Sequence, residues 1–122
     1  MTLPQYRALV GLASRGPQSV AELAEAVSVT PPTASRMCER LVRKDLVNRR
    51  AGRTDRPQVG VGLTRAGRQI IDDVTKRRRA EIANLVANVS HQARVSQVEA
   101  LQQLCETAGE VPEQDWSLGW DL

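Results

Sequence analysis

A mainly α-helical fold with a small β-hairpin is predicted by three features of the sequence. Apolar residues recur at helical spacing in five separate stretches, and three of these follow a Ser or Thr that can cap a helix. Between residues 46 and 63 the spacing changes to alternation, which is typical of a hairpin. The length of 122 residues suits one domain that can bury a core but gains much stability from assembly with a second copy.

Two short helices open the chain. Apolar spacing predicts the first over residues 3–13, and Gly16-Pro17 ends it because glycine can adopt a left-handed cap and proline cannot continue a helix. Ser19 and Glu22 have the spacing of a capping box, in which the two side chains satisfy backbone donors at a helix start. A second helix of about eight or nine residues is therefore expected.

The third helix carries a polar outer face. Thr30 can cap it, and Pro31 suits its first turn, where a missing N–H costs nothing. Its inward stripe is apolar and consists of Ala34, Met37, Cys38, Leu41 and Val42. Its outward face is mostly cationic and consists of Thr33, Ser35, Arg36, Glu39, Arg40 and Arg43. Two short helices joined by a tight turn, the second presenting polar side chains from its first turns, predict a helix-turn-helix.

A hairpin and two longer helices follow. Residues 46–50 and 58–63 alternate around an arginine-rich tip, which predicts an exposed β wing. Thr64 can cap a long helix that ends near Ser90, and a further helix ends near Gly109. Their apolar stripes exceed what a small winged region can cover, so we expect them to pair with a second copy. The expected dimer contacts are Ile82, Leu85, Val86, Val89, Val98, Leu101 and Leu104.

Charge divides the chain into a basic and an acidic part. The net charge of +3 conceals +9 over residues 1–79 and −6 over residues 80–122. The basic part favours nucleic acid as partner, although a solvated basic surface or an acidic lipid headgroup would also fit. The predicted organisation is a winged helix-turn-helix DNA-binding region at 1–63 with its wing at 47–63, dimerisation helices at 64–109, and an acidic tail with both tryptophans at 110–122.

Several classes of protein are disfavoured. No run of about eighteen apolar residues could span a membrane, and no signal peptide precedes the helical pattern, so a cytoplasmic protein is expected. Cys38 and Cys105 stand apart without a CxxC pattern, and His91 has no partner at a metal-binding spacing, so we expect no metal or cofactor. Without a nucleophile–base pair or a phosphate loop, an enzyme is not expected.

In order and spacing, these elements resemble the MarR (multiple antibiotic resistance regulator) family of winged helix-turn-helix transcription factors. The resemblance covers residues 3 to about 105. It rests on LPQYRALVGLASRGPQSVAELAEAVSVTPPTASRMCERLVRKDLVNR, on the Asp55-Arg56 pair at the wing tip, and on LTRAG from Leu63 to Gly67. It implies a repressor that binds a pseudo-palindromic operator as a homodimer, with recognition helices in major grooves and wings at minor grooves. It also implies release by a small, often aromatic, ligand or by cysteine oxidation.

Both the resemblance and the side-chain chemistry point to a set of DNA-binding residues. Short hydroxyl side chains at the start of the third helix let the backbone approach the bases, and arginine can donate two hydrogen bonds to guanine. Arg56 on a thin hairpin can enter a narrow minor groove, and the resemblance implies that Asp55 braces it by a salt bridge. The assigned DNA-binding residues are Ser19, Thr30, Pro32, Thr33, Ser35, Arg36, Arg40, Arg49, Arg53 and Arg56.

Three departures from the family pattern are expected to matter. The usual N-terminal family helix is expected to be absent, and the tail with Trp116 and Trp120 is predicted to cover the surface that it would occupy. Pro57 stands where the wing of family members usually has another basic residue, and Gly60 and Gly62 weaken the second strand of the wing. The cysteine of oxidation-sensing members lies near the missing helix, so that sensing mechanism is not supported.

Two alternative functions stay open. One is a winged-helix protein-interaction module without operator binding, which would carry acidic residues on the third helix and wing, where this chain is basic. The other is a thiol-oxidation-responsive regulator through Cys38, although a buried, inert thiol is favoured on an apolar stripe. The basic run at residues 76–79 is interpreted as a solvated helix face rather than a phosphate contact.

Overall fold

A computed structural model describes residues 1–50, 60–112 and 115–116 of the chain. Its elements in order are α1 (Leu3–Arg15), β1 (Gln18–Ser19), α2 (Val20–Ala26), α3 (Pro31–Arg43), β2 (Val47–Arg50), β3 (Gly60–Leu63), α4 (Arg65–Val86) and α5 (His91–Ala108). The predicted mainly α fold with a small β wing is confirmed. The predicted tip residues Arg53, Asp55 and Arg56 lie outside the described residues, as does Trp120.

Hydroxyl caps set the helix starts. At the starts of α3, α4 and α5, the hydroxyl groups of Thr30, Thr64 and Ser90 each accept a hydrogen bond from the backbone N–H three residues later. The sequence predicts the caps at Thr30 and Thr64 but not the one at Ser90. In α2 the Ser19 half of the predicted capping box is present, since its hydroxyl accepts from the Glu22 N–H at 3.1 Å. A complete capping box between Thr2 and Gln5, which was not predicted, begins α1.

The wing belongs to a three-stranded antiparallel sheet with the strand order β1-β3-β2, whereas the sequence predicts a two-stranded hairpin. Gln18 pairs with Val61 on one side of β3, and Val47 pairs with Leu63 on the other. Strand β1 has only two residues, so it carries no periodic signal. The third strand ties the wing to the start of α2, where Ser19 is both strand residue and helix cap.

The core lies where α1, α2 and α3 meet the sheet and the first turns of α4. We call this packed unit, residues 1–50 and 60–71, the winged lobe. Its largest fully buried side chains are Leu9, Leu12, Leu23, Leu41, Ile71, Val47, Val61 and Cys38. The predicted inward stripe of the third helix is confirmed, with Val42 half-buried at its edge. Helix α5 contributes no buried residue.

After α5 the chain returns to the winged lobe. The Arg15 guanidinium donates a hydrogen bond from Nη2 to the Gly109 carbonyl at 3.3 Å. Trp116 packs against the core, its indole N–H donates to the Val111 carbonyl at 3.0 Å, and the Arg68 guanidinium lies 5.6 Å from its ring centroid. Within the predicted tail, Trp116 therefore packs on the winged lobe.

Candidate nucleic-acid interface

The start of α3 is fixed by two threonines and a proline. The Thr30 hydroxyl accepts a hydrogen bond from the Thr33 N–H at 3.4 Å and lies 2.9 Å from the Thr33 hydroxyl, to which it donates. Pro31 takes the first helical position, where its fixed φ suits the helix. The first turn is therefore held in one conformation, with both hydroxyl groups on its exposed side.

The outer face of α3 is exposed along its whole length, as the sequence predicts. Ala34 is completely buried, and Met37, Cys38 and Leu41 are nearly so. The polar side chains between these buried positions are exposed. The exposed residues are Pro32, Thr33, Ser35, Arg36, Glu39, Arg40 and Arg43. Five predicted DNA contacts thus share one surface with Thr30, offering short hydroxyl groups first and guanidinium groups one and two turns later.

A strained turn sets α3 against α2. Ser28 has a φ of 58°, in the left-handed region that residues other than glycine and asparagine seldom adopt. Its N–H donates to the Glu25 carbonyl at 3.2 Å, and the Val29 N–H donates to the Ala24 carbonyl at 2.9 Å. These bonds fix the direction in which the chain leaves α2 and enters α3.

The wing strands present two different faces. Side chains alternate along β2, so Arg49 shares a face with buried Val47, whereas Arg50 shares the opposite face with Gly62 on β3. Arg49 is exposed and close enough to Cys38 for its charge to act on that thiol. Arg49, a predicted DNA contact, therefore lies on the α3 side of the wing. Arg50 is not among the predicted contacts.

Ser19, a predicted DNA contact, also has a structural role, because its side chain caps α2. It is half-buried in β1, and its hydroxyl oxygen accepts the Glu22 N–H that caps α2. The hydroxyl hydrogen is not used by this bond, so the group can still donate to a phosphate oxygen. Its contact with DNA stays a prediction.

Cys38 is buried on the core side of α3, as predicted. Burial raises the pKa of the Cys38 thiol above its ordinary value, and the nearby Arg49 guanidinium opposes this shift only in part. A buried thiol that is held neutral is a poor nucleophile. Cys105, in contrast, is exposed on α5.

Helix α5 and the end of α4 carry an apolar face that the described residues leave uncovered. Leu101 and Leu104 are 59% and 64% exposed, and Ile82 and Leu85 on α4 are 56% and 78% exposed. The other predicted dimer contacts are exposed Val98 and half-buried Val86 and Val89. An exposed apolar face of this extent is typical of a protein interface. That these residues form a dimer contact stays a prediction.

A cleft of about 460 Å³ lies between α1, α2 and the segment that follows α5. Apolar side chains line part of it, namely Val10, Leu23, Val27 and Val111. Charged and polar side chains line the rest, namely Arg7, Ser14, Arg15, Glu22, Glu25 and Glu110. Because its walls come from three separated parts of the chain, no local sequence pattern indicates it.

The basic run at residues 76–79 is exposed on α4, as its interpretation as a solvated face requires. The Arg78 guanidinium lies 5.5 Å from the centroid of the Tyr6 ring, which places this side chain against α1. Within the described ranges, no group of His, Cys, Asp and Glu could hold a metal ion. No helix in that same part of the chain is long and apolar enough to cross a membrane.

Fold and exposed surfaces together define a winged helix-turn-helix protein, and comparisons with known proteins narrow this class. A sequence model of the MarR family matches residues 1–59. RV1404 from Mycobacterium tuberculosis is 38% identical, and its match covers 92% of this chain and 76% of that chain with a TM-score of 0.84. A MarR family protein from Bacillus stearothermophilus is 26% identical over 90% of this chain and 76% of its own, with a TM-score of 0.80.

MepR, a transcription regulator of the Staphylococcus aureus multidrug efflux pump MepA, shares the fold at 23% identity. That match covers 88% of this chain and 80% of MepR, with a TM-score of 0.69. No curated protein sequence gives a significant match. The chain belongs to the MarR family of transcriptional regulators. The fold of this family implies regulation through binding to DNA.

Proposed function

We propose that this chain is a homodimeric transcriptional repressor that binds a pseudo-palindromic DNA operator and releases it when a small effector binds. The outer face of α3 carries the proposal, because it combines a rigid start, short hydroxyl side chains and exposed arginines on one surface. Such a regulator acts on the genome, so we propose that it works in the cytoplasm.

Helix α3 would enter the major groove with its first turn leading. Thr33 and Ser35 are short enough for the helix to approach the base edges, and their hydroxyl groups can bond to bases or phosphate. Arg36 would make the two-bond contact with guanine, and Arg40, about one turn later, would hold a phosphate. The remaining proposed contacts are Ser19, Thr30, Pro32, Arg49, Arg53 and Arg56, with Asp55 as the brace of the wing arginine.

A second copy would cover the apolar face of α5. Val98, Leu101 and Leu104 lie on one side of this helix at the spacing of three that a helix–helix contact uses. A two-fold axis there would hold two α3 helices for half-sites one helical turn apart, about 34–36 Å. We therefore propose that residues 1–63 read DNA and that residues 64–109 form the dimer.

The cleft between α1, α2 and the segment after α5 is the proposed effector site. Val10, Leu23 and Val27 offer an apolar wall for an aromatic ring, and Arg7 offers a cation for an acidic substituent. A ligand there would touch both the winged lobe and Val111, which follows α5. It could thus change the angle between the lobe and α5, and with it the spacing of the two recognition helices.

The test is selection of bound duplexes from a random pool, followed by affinity measurements at several salt concentrations. The affinity should fall steeply, with log K decreasing by about 0.9 for each phosphate neutralised per unit of log salt. Selected sequences should contain two related half-sites separated by one helical turn. A flat salt response would instead support a protein-interaction module.

Arg36→Ala separates base recognition from phosphate binding. It should cost about 1–3 kcal/mol on the selected duplex and relax the preference at one base pair, because a two-bond contact with guanine is lost. Arg77→Ala removes another exposed charge, from the solvated face of α4, and serves as the matched control. Equal losses for Arg36→Ala on all sequences would reduce Arg36 to a phosphate contact.

The dimer is tested separately by Leu101→Asp, which places a charge on the exposed apolar face of α5. Sedimentation should show monomers, and operator affinity should fall while the helical content of the winged lobe is kept. A dimer of unchanged stability would exclude this face as the interface.

A further inference from the structure

Arg50 ends β2 on the face of the wing that points away from the core. The strand register pairs Arg50 with Gly60 and Asn48 with Gly62, so these four residues share that face. Both β3 positions on the face are glycines, so the strand presents bare backbone there. Among these four residues Arg50 has the largest side chain, and it lies beside a flat backbone surface.

The Arg50 guanidinium fills the space that a side chain at Gly62 would take. A Cβ atom added to Gly62 would lie 3.1 Å from both Cζ and Nη2 of Arg50, and still closer to Nε. The guanidinium therefore lies where only a glycine leaves room for it. Gly62 is itself buried, and Arg50 is half-buried against the backbone of β3.

No acidic group among the described residues neutralises Arg50. Its Nε is buried without a hydrogen-bond partner there, and Arg50 takes part in no ion pair within those residues. An arginine that served only to hold the sheet together would normally be paired, because an unmatched buried donor is costly. A guanidinium that lies against the strand and is not neutralised by any described residue is suited to an external anion.

We propose that Arg50 binds a DNA phosphate beside the wing and that Gly62 is the positioning residue that holds its guanidinium against the strand. This inference rests on the proposed function and adds a contact to it. Phosphate is the expected partner because the planar fork of donors matches two phosphate oxygens. A residue on the flank of the wing, rather than at its tip, meets the sugar–phosphate backbone before any base edge.

Arg50→Ala is tested by fluorescence anisotropy on a duplex selected for the wild-type chain and on an unrelated duplex. Binding should weaken similarly on both, and the salt slope should fall by about 0.9. The ratio of wild-type to variant affinity should therefore be about 3.5-fold larger at about 50 mM than at about 200 mM salt. Arg50→Lys should restore the slope, since the slope counts charges, and Arg77→Ala should leave it unchanged.

Gly62→Ala tests the positioning role without changing any charge. The added methyl group displaces the guanidinium, so affinity should fall by about 2- to 10-fold, the cost of ordering one side chain at an interface. In the Arg50→Ala background the same substitution should change affinity little, because Gly62 acts through Arg50. Circular dichroism should show the same helical content and melting temperature in each variant.

The outcomes separate the two proposals. If the wild-type chain binds duplex DNA without salt dependence, the proposed function itself fails. Salt-dependent wild-type binding with an unchanged slope for Arg50→Ala overturns the phosphate contact alone. A loss from Gly62→Ala that persists at full size in the Arg50→Ala background overturns the positioning role.

Discussion

Replacing Gly67 by alanine is expected to destabilise the chain, although alanine is the better helix former. Gly67 is the third residue of α4, and its N–H donates to the Thr64 hydroxyl at 3.1 Å. A Cβ atom there would collide with the carbonyl oxygen of Leu46 and lie 2.7 Å from Leu63 Cδ1. The same carbonyl accepts the Thr64 N–H at 3.1 Å. The obstacle is therefore a backbone group that is held in place.

Opposing contributions set the size of the effect. Alanine in place of glycine favours a helix by about 1 kcal/mol. Overpacking costs about 1–3 kcal/mol, and the upper end applies because backbone, not a side chain, must move. Shifting the Leu46 carbonyl also weakens its hydrogen bond with Thr64, at about 1 kcal/mol. The expected net loss in the free energy of unfolding is about 2–3 kcal/mol.

Denaturant titration of Gly67→Ala, Gly11→Ala and the wild-type chain, all at one protein concentration, measures the differences in the free energy of unfolding. Gly11→Ala is the matched control, because Gly11 is also helical but a Cβ atom there would lie 3.7 Å from Gln18 Nε2, an ordinary contact. It should stabilise the chain by up to about 1 kcal/mol. Shifts of the same sign for Gly67→Ala and Gly11→Ala would refute the reasoning.

Three further predictions concern other parts of the molecule. Since burial raises the pKa of Cys38, the folded chain disfavours its thiolate, so stability should fall as pH rises above about 8.5, and denaturation of Cys38→Ala should lack this contribution. Trp116→Ala should cost about 1–2 kcal/mol of unfolding free energy, because half-buried contact area and the Arg68 interaction are lost. Ser28→Gly should stabilise the chain by about 0.5 kcal/mol in the same titration. Glycine removes the strain of the left-handed φ at this position, and this gain exceeds the cost of the greater conformational entropy that glycine gives the unfolded chain.

Local patterns predicted most of the fold because helix caps and apolar stripes are properties of neighbouring residues. The start of α3 is an example, since Thr30 and Pro31 are sufficient to define it. Strand β1 could not be predicted in the same way, because two residues form no period and their partner, β3, begins at Gly60. The unpredicted strand gives Ser19 a second role in the sheet.

The residues of the candidate interface were predictable only on α3, where the exposed face follows from the position of the buried apolar stripe. The outer face of α3 is the complement of its buried stripe, so its residues could be named in advance. The contact of Arg50 with Gly62 depends on strand register across the wing, and the cleft depends on the chain returning after α5. Neither of these non-local arrangements leaves a periodic trace in the sequence.

Helix α4 links the proposed dimer to the proposed DNA surface. It contributes Gly67 and Ile71 to the core at its start, whereas Ile82 and Leu85 near its end are exposed. Its 22 residues form a rod of about 33 Å between these two regions. Because Gly67 rests against Leu46, between α3 and β2, a tilt of α4 would carry the recognition helix and the wing with it. Under the proposed function, an effector that tilted α4 would change the distance between the two recognition helices without unfolding either lobe. A small rigid-body rotation of this kind would end binding to an operator of fixed spacing.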